Sequence, residues 1–371
     1  MKVCHLSDAH KQEDTRIFHK ECTSLVKAGF SVYEIIPGKS YVKNGVNIIG
    51  VTSAGQSLRK RVFATSKNVF RAALALDADV YHAHDPELMP ILLKLKKRGK
   101  KVIFDSHENN IGLISEKKYI PKCIRKLVQN VFAAYQKSAC LKFDAVITAT
   151  PNMTEYFKTI GCSRVIDLCN FPLLKHDVET PDYCSRRISF AGGITEQWNH
   201  EHIINSISRI DDVEYCLCGK GSPDYLSYLR SLDGWDKVDY LGNLPFERVS
   251  EVLRSTAIGL SLLTPGANTD WNNGNLANTK IFEEMQAGLP VVCTDFTRWK
   301  DFVEAYDCGI CVNPNSEEQI QSAIESLVSN PEKAKTMGMN GKRAVEERFN
   351  WSIEEKKLIS LYKQIEGELS E

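Results

Sequence analysis

The segment at residues 278–292, NTKIFEEMQAGLPVV, combines a helix start with groups that can bind phosphate and sugar. Asn278 is a residue type that caps helices, and the apolar spacing after it predicts a helix that ends at a glycine before a buried strand. The first turn carries Thr279 and Lys280, and the free backbone N–H groups of such a turn bind phosphate well. Glu283 follows about one turn later, where its carboxylate could accept hydrogen bonds from two sugar hydroxyls. The alternative is that Glu283 only complements the helix dipole on a solvated face.

Glycines follow two of the predicted strands in the second half of the chain. Gly192 and Gly193 stand between the strand-like segment RISFAG and a helical pattern, and Gly219 ends the strand-like segment EYCLCG. Glycine lets the backbone approach a ligand closely and adopt positive φ. We therefore expect these turns to lie beside a bound anion, although strand-to-helix connections also use glycine for tight turns alone.

The segment VIFDSHEN, residues 102–109, brings three polar side chains to the end of a predicted strand. Asp105, His107 and Glu108 stand at its C-terminal end, and open α/β sheets bind ligands beyond the carboxyl ends of their strands. A histidine there can donate to or orient a substrate at neutral pH. The alternative is a histidine whose hydrogen bonds are satisfied within the strand-to-loop turn.

The segment DVYHAHDPE adds His82, His84 and Asp85 near the end of a neighbouring predicted strand. His82 and His84 share one strand face, because side chains two residues apart point to the same side. The two imidazoles could bind a metal as a pair. No further ligand stands at a suitable spacing in the sequence, however, so we predict no metal site.

Short apolar runs alternate with amphipathic helical patterns through most of the chain. The strand-like runs lie at 2–7, 31–36, 46–51, 79–84, 101–106, 145–150 and 164–169, and then at 187–192, 214–219, 238–243, 258–263, 289–294 and 309–314. This alternation predicts an α/β protein with doubly wound parallel sheets. A polar stretch at 172–184 divides the runs. We therefore predict two Rossmann-like domains, at 1–172 and 185–350, and expect a ligand in a cleft that they share.

Length, composition and charge exclude several classes of protein. With 371 residues, 43% of them hydrophobic and 25% charged, the chain is globular and long enough for two cores. Residues 1–172 hold 27 basic against 15 acidic side chains, but no nucleic-acid-binding motif accompanies this charge, so we expect no nucleic-acid partner. A dehydrogenase is disfavoured because no GxGxxG follows the first strand. Without an export signal or a long apolar run, we expect a cytoplasmic protein with reduced cysteines.

The basic half carries two clusters of positive charge, at 94–101 and 116–137. The second cluster mixes Lys and Arg with the apolar residues Tyr119, Ile120, Ile124, Leu127, Val131 and Phe132. A basic amphipathic helix of this kind can lie on an anionic lipid surface. The alternative is a solvated helix whose apolar stripe packs on the sheet.

Taken together, these segments resemble the retaining glycosyltransferases of family 4, which have the GT-B fold. The resemblance covers nearly the whole chain and rests on HLSDAHKQEDTRIFHKECTSLVKAGFSVY, YHAHDPELMP, FDSHE, and NTKIFEEMQAGLPVVCTD followed by GICVNPNSEEQIQSAI. It implies that the C-terminal domain binds a nucleotide diphosphate sugar and that the N-terminal domain binds the acceptor. It also implies that the last helix, within residues 352–371, packs back on the first domain.

The resemblance also implies roles for individual residues. Glu283 would hold the donor ribose and His107 would contact the transferred sugar, which makes them the expected catalytic residues. The expected donor-binding residues are Gly192, Gly193, Gly219, Asn278, Thr279, Lys280 and Glu283. The expected acceptor-side residues are Asp14, Arg16, His84 and Asp85.

Two regions depart from the family pattern. A second glutamate commonly stands eight residues before the ribose-binding one, and here that position is Asn275. The family often has Arg and Lys in the glycine loop, where this chain has Gly193 and Trp198. These departures keep open a non-catalytic GT-B partner or nucleotide-sugar-binding protein. A nucleotide-sugar epimerase of the same fold is a further alternative.

The activity that the resemblance implies is transfer of a hexosyl or related sugar from a nucleotide diphosphate sugar to an acceptor hydroxyl. The anomeric configuration would be retained, and neither a metal nor another cofactor would be needed. The basic segment adds the expectation of a lipid-linked saccharide acceptor in cell-surface polysaccharide synthesis. The protein would then work in the cytoplasm or on the inner face of the cell membrane.

Overall fold

The structure, a computed structural model, describes residues 1–53, 55, 64–117, 119–175 and 179–370. The chain divides into two compact units. Unit 1 consists of Met1–Asn170 together with Trp351–Glu371, and unit 2 consists of Phe171–Asn350. The predicted linker at 172–184 therefore belongs to unit 2, and its residues 176–178 lie outside the described part.

Within the described residues, the sheet of unit 1 has eight strands in the order β3-β4-β2-β1-β5-β6-β7-β8. They are β1 (Lys2–Leu6), β2 (Ser31–Pro37), β3 (Tyr41–Lys43), β4 (Val46–Val51), β5 (Val80–Ala83), β6 (Lys101–Ser106), β7 (Ala145–Thr148) and β8 (Val165–Asp167). All neighbours pair in parallel except β3, which pairs antiparallel with β4. Val3 and Cys4 of β1 enter two different apolar cores, because successive side chains point to opposite faces of a sheet that is covered on both sides.

The helices of unit 1 that precede unit 2 connect and cover these strands. They are α1 (Thr23–Lys27), α2 (Ser66–Leu76), α3 (Met89–Lys96), α4 (Asn110–Glu116), α5 (Lys122–Cys140) and α6 (Pro151–Thr159). A π-helical segment, Ile17–Cys22, leads directly into α1. Such wide turns are rare and often occur at functional sites.

Unit 2 is built on a six-stranded parallel sheet in the order β11-β10-β9-β12-β13-β14. The strands are β9 (Arg187–Ala191), β10 (Glu214–Cys218), β11 (Val238–Gly242), β12 (Ile258–Ser261), β13 (Val291–Thr294) and β14 (Gly309–Val312). The helices are α7 (His200–Ile207), α8 (Pro223–Arg230), α9 (Phe246–Arg254), α10 (Thr279–Gln286), α11 (Thr297–Tyr306), α12 (Glu317–Val328) and α13 (Pro331–Glu347). The strand order reverses between β9 and β12, and doubly wound sheets bind ligands beyond the strand ends at that point.

The C-terminal helix α14 (Trp351–Ser370) belongs to unit 1 and buries one face in its core. The Trp351 indole Nε1 donates to Ser24 Oγ at 2.9 Å. Farther along, Tyr362 is fully buried and its hydroxyl lies 2.9 Å from Nδ1 of His82. The helix thereby returns to the sheet of unit 1 after the whole of unit 2.

The predicted fold class, α/β with two Rossmann-like doubly wound domains, is confirmed by this architecture. The sequence did not reveal β3, because an exposed edge strand such as Tyr41–Lys43 carries no alternating apolar pattern. Two amphipathic patterns of the first half, at 18–28 and 57–75, each predict a helix. The first is the π-helical segment followed by α1, and the second begins partly outside the described residues. A search of the described residues finds no helix with the length and apolar character needed to cross a bilayer.

Candidate functional site

In unit 2, two strand ends and one helix start form a group that we call the glycine–lysine site, defined by Gly192, Gly219 and Lys280. Gly192 follows β9, and its N–H donates to the carbonyl of Cys218 at 2.9 Å. A Cβ atom on Gly219 would lie 1.7 Å from the Gly192 carbonyl oxygen, and Gly219 has a φ of +145°. A side chain on Gly192 would meet Lys280, since its Cβ would lie 1.9 Å from the lysine Cε. Close approach to backbone therefore requires glycine at 219, whereas a side chain at 192 would displace the flexible end of Lys280.

The Lys280 side chain lies across the glycine turn and over aromatic rings. Its Nζ lies 4.4 Å from the centroid of the Trp198 ring and 5.8 Å from that of Phe190, which is within the range of cation–π attraction. Burial lowers the pKa of Lys280, while the charge of Glu283 acts in the opposite direction. The ammonium group is thus a partly desolvated cation beside a backbone turn.

The start of α10 forms as the sequence predicts. Asn278 caps the helix by accepting a hydrogen bond from the backbone N–H of Lys280 at 3.1 Å. Thr279 lies in the first turn and is half-buried. Gly193, in contrast, is exposed and has open space where a Cβ would stand. The roles of these residues in donor binding stay predictions.

The two adjacent glutamates of α10 have different surroundings. Glu284 is buried and accepts a hydrogen bond from Ser261 Oγ at 2.9 Å, and burial raises its pKa to about 8. Glu283 is only half-buried, and its negative charge favours the charged form of Lys280. Of the pair, Glu283 is therefore the carboxylate that can reach a ligand, and its contact with a ribose stays a prediction.

Asn275, the position where the family commonly has a second glutamate, is bound within its own loop. Its side-chain Nδ2 donates to the Asn268 carbonyl, and its Oδ1 accepts from the N–H of Ala277 at 3.0 Å. Its carbonyl also accepts from Trp299 Nε1 at 2.7 Å. The amide therefore stabilises the loop before α10. A carboxylate at this position could still accept the bond from Ala277 but could not donate to Asn268.

In unit 1, the second candidate region is a buried histidine cluster, which we define as His5, His82, His84 and His107 with Asp105 and Glu21. Arg16 anchors it from one side, because its Nε and Nη2 lie 3.2 and 3.0 Å from Asp105 Oδ2. The same Nε lies 3.0 Å from Glu21 Oε1. Burial acts against ionised Asp105, but the Arg16 charge and the His107 contact outweigh it and hold its pKa well below the usual value. Burial raises the pKa of Glu21 well above its usual value.

The four imidazoles make close contacts across three strand ends. His107 Nε2 lies 2.9 Å from Asp105 Oδ2, and His84 Nδ1 lies 3.3 Å from the same oxygen. His84 Nε2 in turn lies 2.9 Å from His5 Nδ1. Burial lowers the pKa of His84 to about 4 and also lowers the pKa of His5 and of His82. These three rings are therefore neutral near pH 7, and His107 is the only one of the four that is partly exposed.

Asp85 binds the loop that follows β1. Its Oδ2 accepts hydrogen bonds from Ser7 Oγ at 2.7 Å and from the N–H of Asp8 at 2.8 Å. Its Oδ1 lies 3.2 Å from His10 Nδ1. Burial opposes the ionised form of Asp85, but the contacts with His10 and Ser7 outweigh it and lower its pKa. The hydrogen bond to Asp85 likewise outweighs burial for His10 and raises the pKa of that ring.

The predicted acceptor-side residues have unlike surroundings. Asp14 is half-buried and accepts from the N–H groups of Arg16 and Ile17 at 2.8 and 3.0 Å, so it caps the π-helical segment. Arg16, His84 and Asp85 are buried and bound to neighbouring residues of unit 1. A direct contact with an acceptor would require these three side chains to leave those partners, so the structure favours an indirect role for them.

Sequence reasoning missed three residues of this region: His5, His10 and Glu21. The spacing argument against further metal-ligand types near His82 and His84 is wrong, because the fold brings His5 and Glu21 to them with candidate ligand atoms within 4.8 Å of one another. No local pattern in the sequence marks this contact, because it depends on strand register: His5 and His82 are direct partners of two adjacent parallel strands. That the protein uses no metal stays a prediction.

Comparisons with known proteins match both halves of the chain. Residues 16–167 match the family model described as Glycosyltransferase Family 4, and residues 184–344 match the one described as Glycosyl transferases group 1. Among curated relatives, the alpha-maltose-1-phosphate synthase of Mycolicibacterium smegmatis is 22% identical over 196 residues. That match takes in 48% of this chain and 48% of the relative, so it spans about half of either length.

Two solved structures resemble nearly the whole chain. The sucrose-phosphate synthase of Thermosynechococcus elongatus superimposes with a TM-score of 0.76 at 14% identity, over 99% of each chain. HepE of Anabaena, solved in complex with UDP and glucose, superimposes with a TM-score of 0.71 at 12% identity, over 98% of this chain and 100% of that one. At such low identity, these similarities indicate a shared fold and nothing further.

Proposed function

Because the chain belongs to the GT-B glycosyltransferases of the family 4 type, we propose that it transfers a hexosyl or related group from a nucleotide diphosphate sugar to an acceptor hydroxyl, with retention of configuration. The bond from the anomeric carbon to the β-phosphate oxygen breaks, and a bond from that carbon to the acceptor oxygen forms. The acceptor proton goes to the departing phosphate. One observation carries the proposal. Lys280, in the first turn of α10, holds its ammonium group beside the turn at Gly192 and over the Trp198 ring.

The glycine–lysine site has the chemistry that a diphosphate needs. Gly192 leaves room beside the turn for the Lys280 side chain, while the N–H groups of Gly192 and Gly219 donate to the carbonyls of Cys218 and Gly242. The partly desolvated Lys280 supplies a cation, and the N-terminal end of α10 adds a partial positive charge. Negative charge develops on the diphosphate as it leaves, so groups fixed in place before the reaction stabilise the transition state most effectively. We propose that these groups serve in place of a metal ion.

Glu283 and His107 are the side chains that we propose to contact the sugar nucleotide. Glu283, one turn beyond Lys280, would accept hydrogen bonds from the ribose hydroxyls. His107 would contact the transferred sugar. We expect Glu283→Ala and His107→Ala each to lower the transfer rate at least about tenfold while the protein stays folded. Near-normal turnover in both variants, with unchanged circular dichroism, would contradict the assignment.

Donor binding can be tested separately from turnover with a substitution of Lys280. Thermal-shift and calorimetric titrations with UDP, GDP, ADP and their sugars should identify one nucleotide that stabilises the protein. Lys280→Met should then weaken the binding of that nucleotide diphosphate at least about tenfold, since a charge-assisted contact is lost. Lys300→Met is the matched control, because Lys300 is an exposed lysine of α11. Equal loss in both variants, or in neither, would argue against the site.

A second candidate is a GT-B protein that binds a nucleotide sugar without transferring it. The observation in its favour is Asn275, whose side chain is bound within its own loop where the family commonly has a glutamate. Donor titration followed by product analysis separates the two candidates. Tight nucleotide binding with neither transfer nor donor hydrolysis, across a panel of acceptors, would favour the second.

We further propose that α5 docks on an anionic lipid surface and that the acceptor is a lipid-linked saccharide of cell-surface polysaccharide synthesis. Leu127 and Val131 are 64% and 62% exposed on this helix, whereas Phe132 packs against the core. The helix carries four basic residues and no acidic one. Each cation near an anionic lipid surface contributes about 1 kcal/mol to the free energy of binding. The proposed place of work is the cytoplasmic face of the membrane.

Vesicle flotation tests the docking surface. The protein should float with vesicles that contain phosphatidylserine and not with phosphatidylcholine alone, and added salt should release it. The double variant Leu127→Ser, Val131→Ser should lose flotation. Met339→Ser, Leu369→Ser is the matched control, because both residues are exposed apolar side chains outside α5. Equal flotation of the two variants would contradict the docking surface and leave the transfer proposal standing.

A further inference from the structure

Hydrogen-bond chemistry at Asp105 determines which nitrogen of His107 carries the proton. Asp105 is fully buried, and the Arg16 charge keeps it ionised, so its oxygens can only accept. His107 Nε2 lies 2.9 Å from Asp105 Oδ2. That nitrogen must therefore donate, and neutral His107 has its lone pair on Nδ1.

His84 contacts the same pair of groups. Its Nδ1 lies 3.1 Å from His107 Nε2 and 3.3 Å from Asp105 Oδ2, and its Nε2 lies 2.9 Å from His5 Nδ1. Because Nδ1 of His84 faces both a donor and an acceptor, the carboxylate fixes the tautomer of His107 and not those of the two deeper rings.

Arg16 fixes the carboxylate on which the tautomer of His107 depends. Two of its nitrogens contact Asp105, and its Nη1 donates to the carbonyl of Leu168 at 2.6 Å. Two nitrogens of Arg16 and two imidazoles contact Asp105 and hold its carboxylate in place. The sequence suggested a place for Arg16 beside the acceptor, and the structure shows its guanidinium bound to Asp105, Glu21 and the carbonyl of Leu168.

We infer that Asp105 is a positioning residue, which holds the ring of His107 in the Nε2–H tautomer so that Nδ1 accepts a hydrogen bond from a sugar hydroxyl, and that Arg16 acts through Asp105. This inference rests on the proposed contact between His107 and the transferred sugar. It adds what that contact consists of: the protein side accepts and the sugar hydroxyl donates.

The test begins with the unaltered protein and needs no variant to fold. Two-bond proton–nitrogen spectra of 15N-histidine-labelled protein distinguish the tautomers, and comparison with His107→Gln assigns the His107 signals. We expect the Nε2–H form for His107. An Nδ1–H form of His107 would overturn the inference, and so would a metal ion bound in stoichiometric amount, since it would replace the contact between His5 and His84.

Asp105→Asn then tests whether the tautomer matters for transfer. An amide can donate as well as accept, so His107 should become a mixture of tautomers, and kcat should fall at least about tenfold with a smaller change in KM for the donor. Adding Asp105→Asn to His107→Ala should lower kcat no more than about twofold further, because the two substitutions remove the same contact. Tyr362→Phe is the control: it removes a hydroxyl that contacts His82, and it should leave the His107 signals unchanged.

The outcomes separate this inference from the proposed function. If His107→Ala keeps full activity, the proposed sugar contact fails. If His107→Ala loses activity while Asp105→Asn keeps both activity and the Nε2–H tautomer, the positioning roles fail and the proposed function stands. Full additivity of Asp105→Asn and His107→Ala would also overturn the positioning roles.

Discussion

The glycine–lysine site of unit 2 and the histidine cluster of unit 1 are built in opposite ways. The first depends mainly on backbone: the turn at Gly219, which tolerates no side chain, the start of α10, and one lysine that lies against Gly192. The second depends on side chains that come from four distant parts of unit 1, around one buried ion pair. The difference predicts that removing the Lys280 cation lowers donor binding with little change in stability, whereas removing a charged side chain of the cluster lowers the stability of unit 1.

The largest expected effect is on the stability of unit 1. Arg16→Met leaves ionised Asp105 buried without its main cation, and breaking a buried ion pair on one side costs about 3–5 kcal/mol. Urea denaturation followed by a probe in unit 1 measures this loss. The double variant Arg16→Met, Asp105→Asn should recover part of it, because no unpaired carboxylate remains. A loss below about 1 kcal/mol for Arg16→Met would remove the contrast between the two regions.

The next expected effect is on donor binding in unit 2. Gly219→Ala places a methyl group against the Gly192 carbonyl at a positive φ, so the backbone of the glycine–lysine site must move. We expect nucleotide diphosphate binding to weaken about a hundredfold, which is about 2.7 kcal/mol. Titration calorimetry measures the change. Gly367→Ala is the matched control, since a Cβ there meets no atom within 4 Å and φ is not positive; similar weakening in both variants would contradict the prediction.

The two regions also differ in how far the sequence predicted them. The unit 2 site could be predicted because Asn278, Lys280 and Glu283 are neighbours in the chain, and because glycines after strands mark close approach directly. The cluster could be predicted only in part: His84 and His107 were identified at strand ends, but their partners His5 and Glu21 come from distant elements. The contact between His5 and His82 depends on the register of β1 against β5, which no local pattern specifies.

Trp198 shows the same limit at short range. In the sequence it stands where the family often has a cation, so the loop carries one positive charge fewer. The structure shows that the ring lies under the Lys280 ammonium. Trp198 thus adds no charge of its own to the glycine loop, but its ring holds the Lys280 charge in place. Such compensation depends on side-chain direction, which residue spacing leaves open.

A smaller effect on stability is expected from Glu284, the buried carboxyl of α10. Its pKa is raised from 4.5 to about 8 in the folded protein, so the folded state binds a proton that the unfolded state has lost. Stability therefore falls as pH rises from about 4.5 to about 8. Glu284→Gln should lessen this fall by at least about 1 kcal/mol. Urea denaturation at pH 5.5 and pH 8 measures it, and a pH dependence unchanged by the substitution would show that the carboxyl is ionised.

The smallest expected effect concerns the ring beneath Lys280. Trp198→Phe keeps an aromatic side chain but weakens its attraction for the Lys280 ammonium, because indole is the strongest cation–π partner among the aromatic rings. The cation–π energies of the two rings should differ by about 0.5–1 kcal/mol. Donor binding should weaken about threefold, and the free energy of unfolding should change more than it does for Lys280→Met because Trp198 is buried. In the double variant Trp198→Phe, Lys280→Met, the loss of affinity should equal that of Lys280→Met alone, because the ring acts through the lysine. Independent losses from the two substitutions would mean that Trp198 contacts the donor itself.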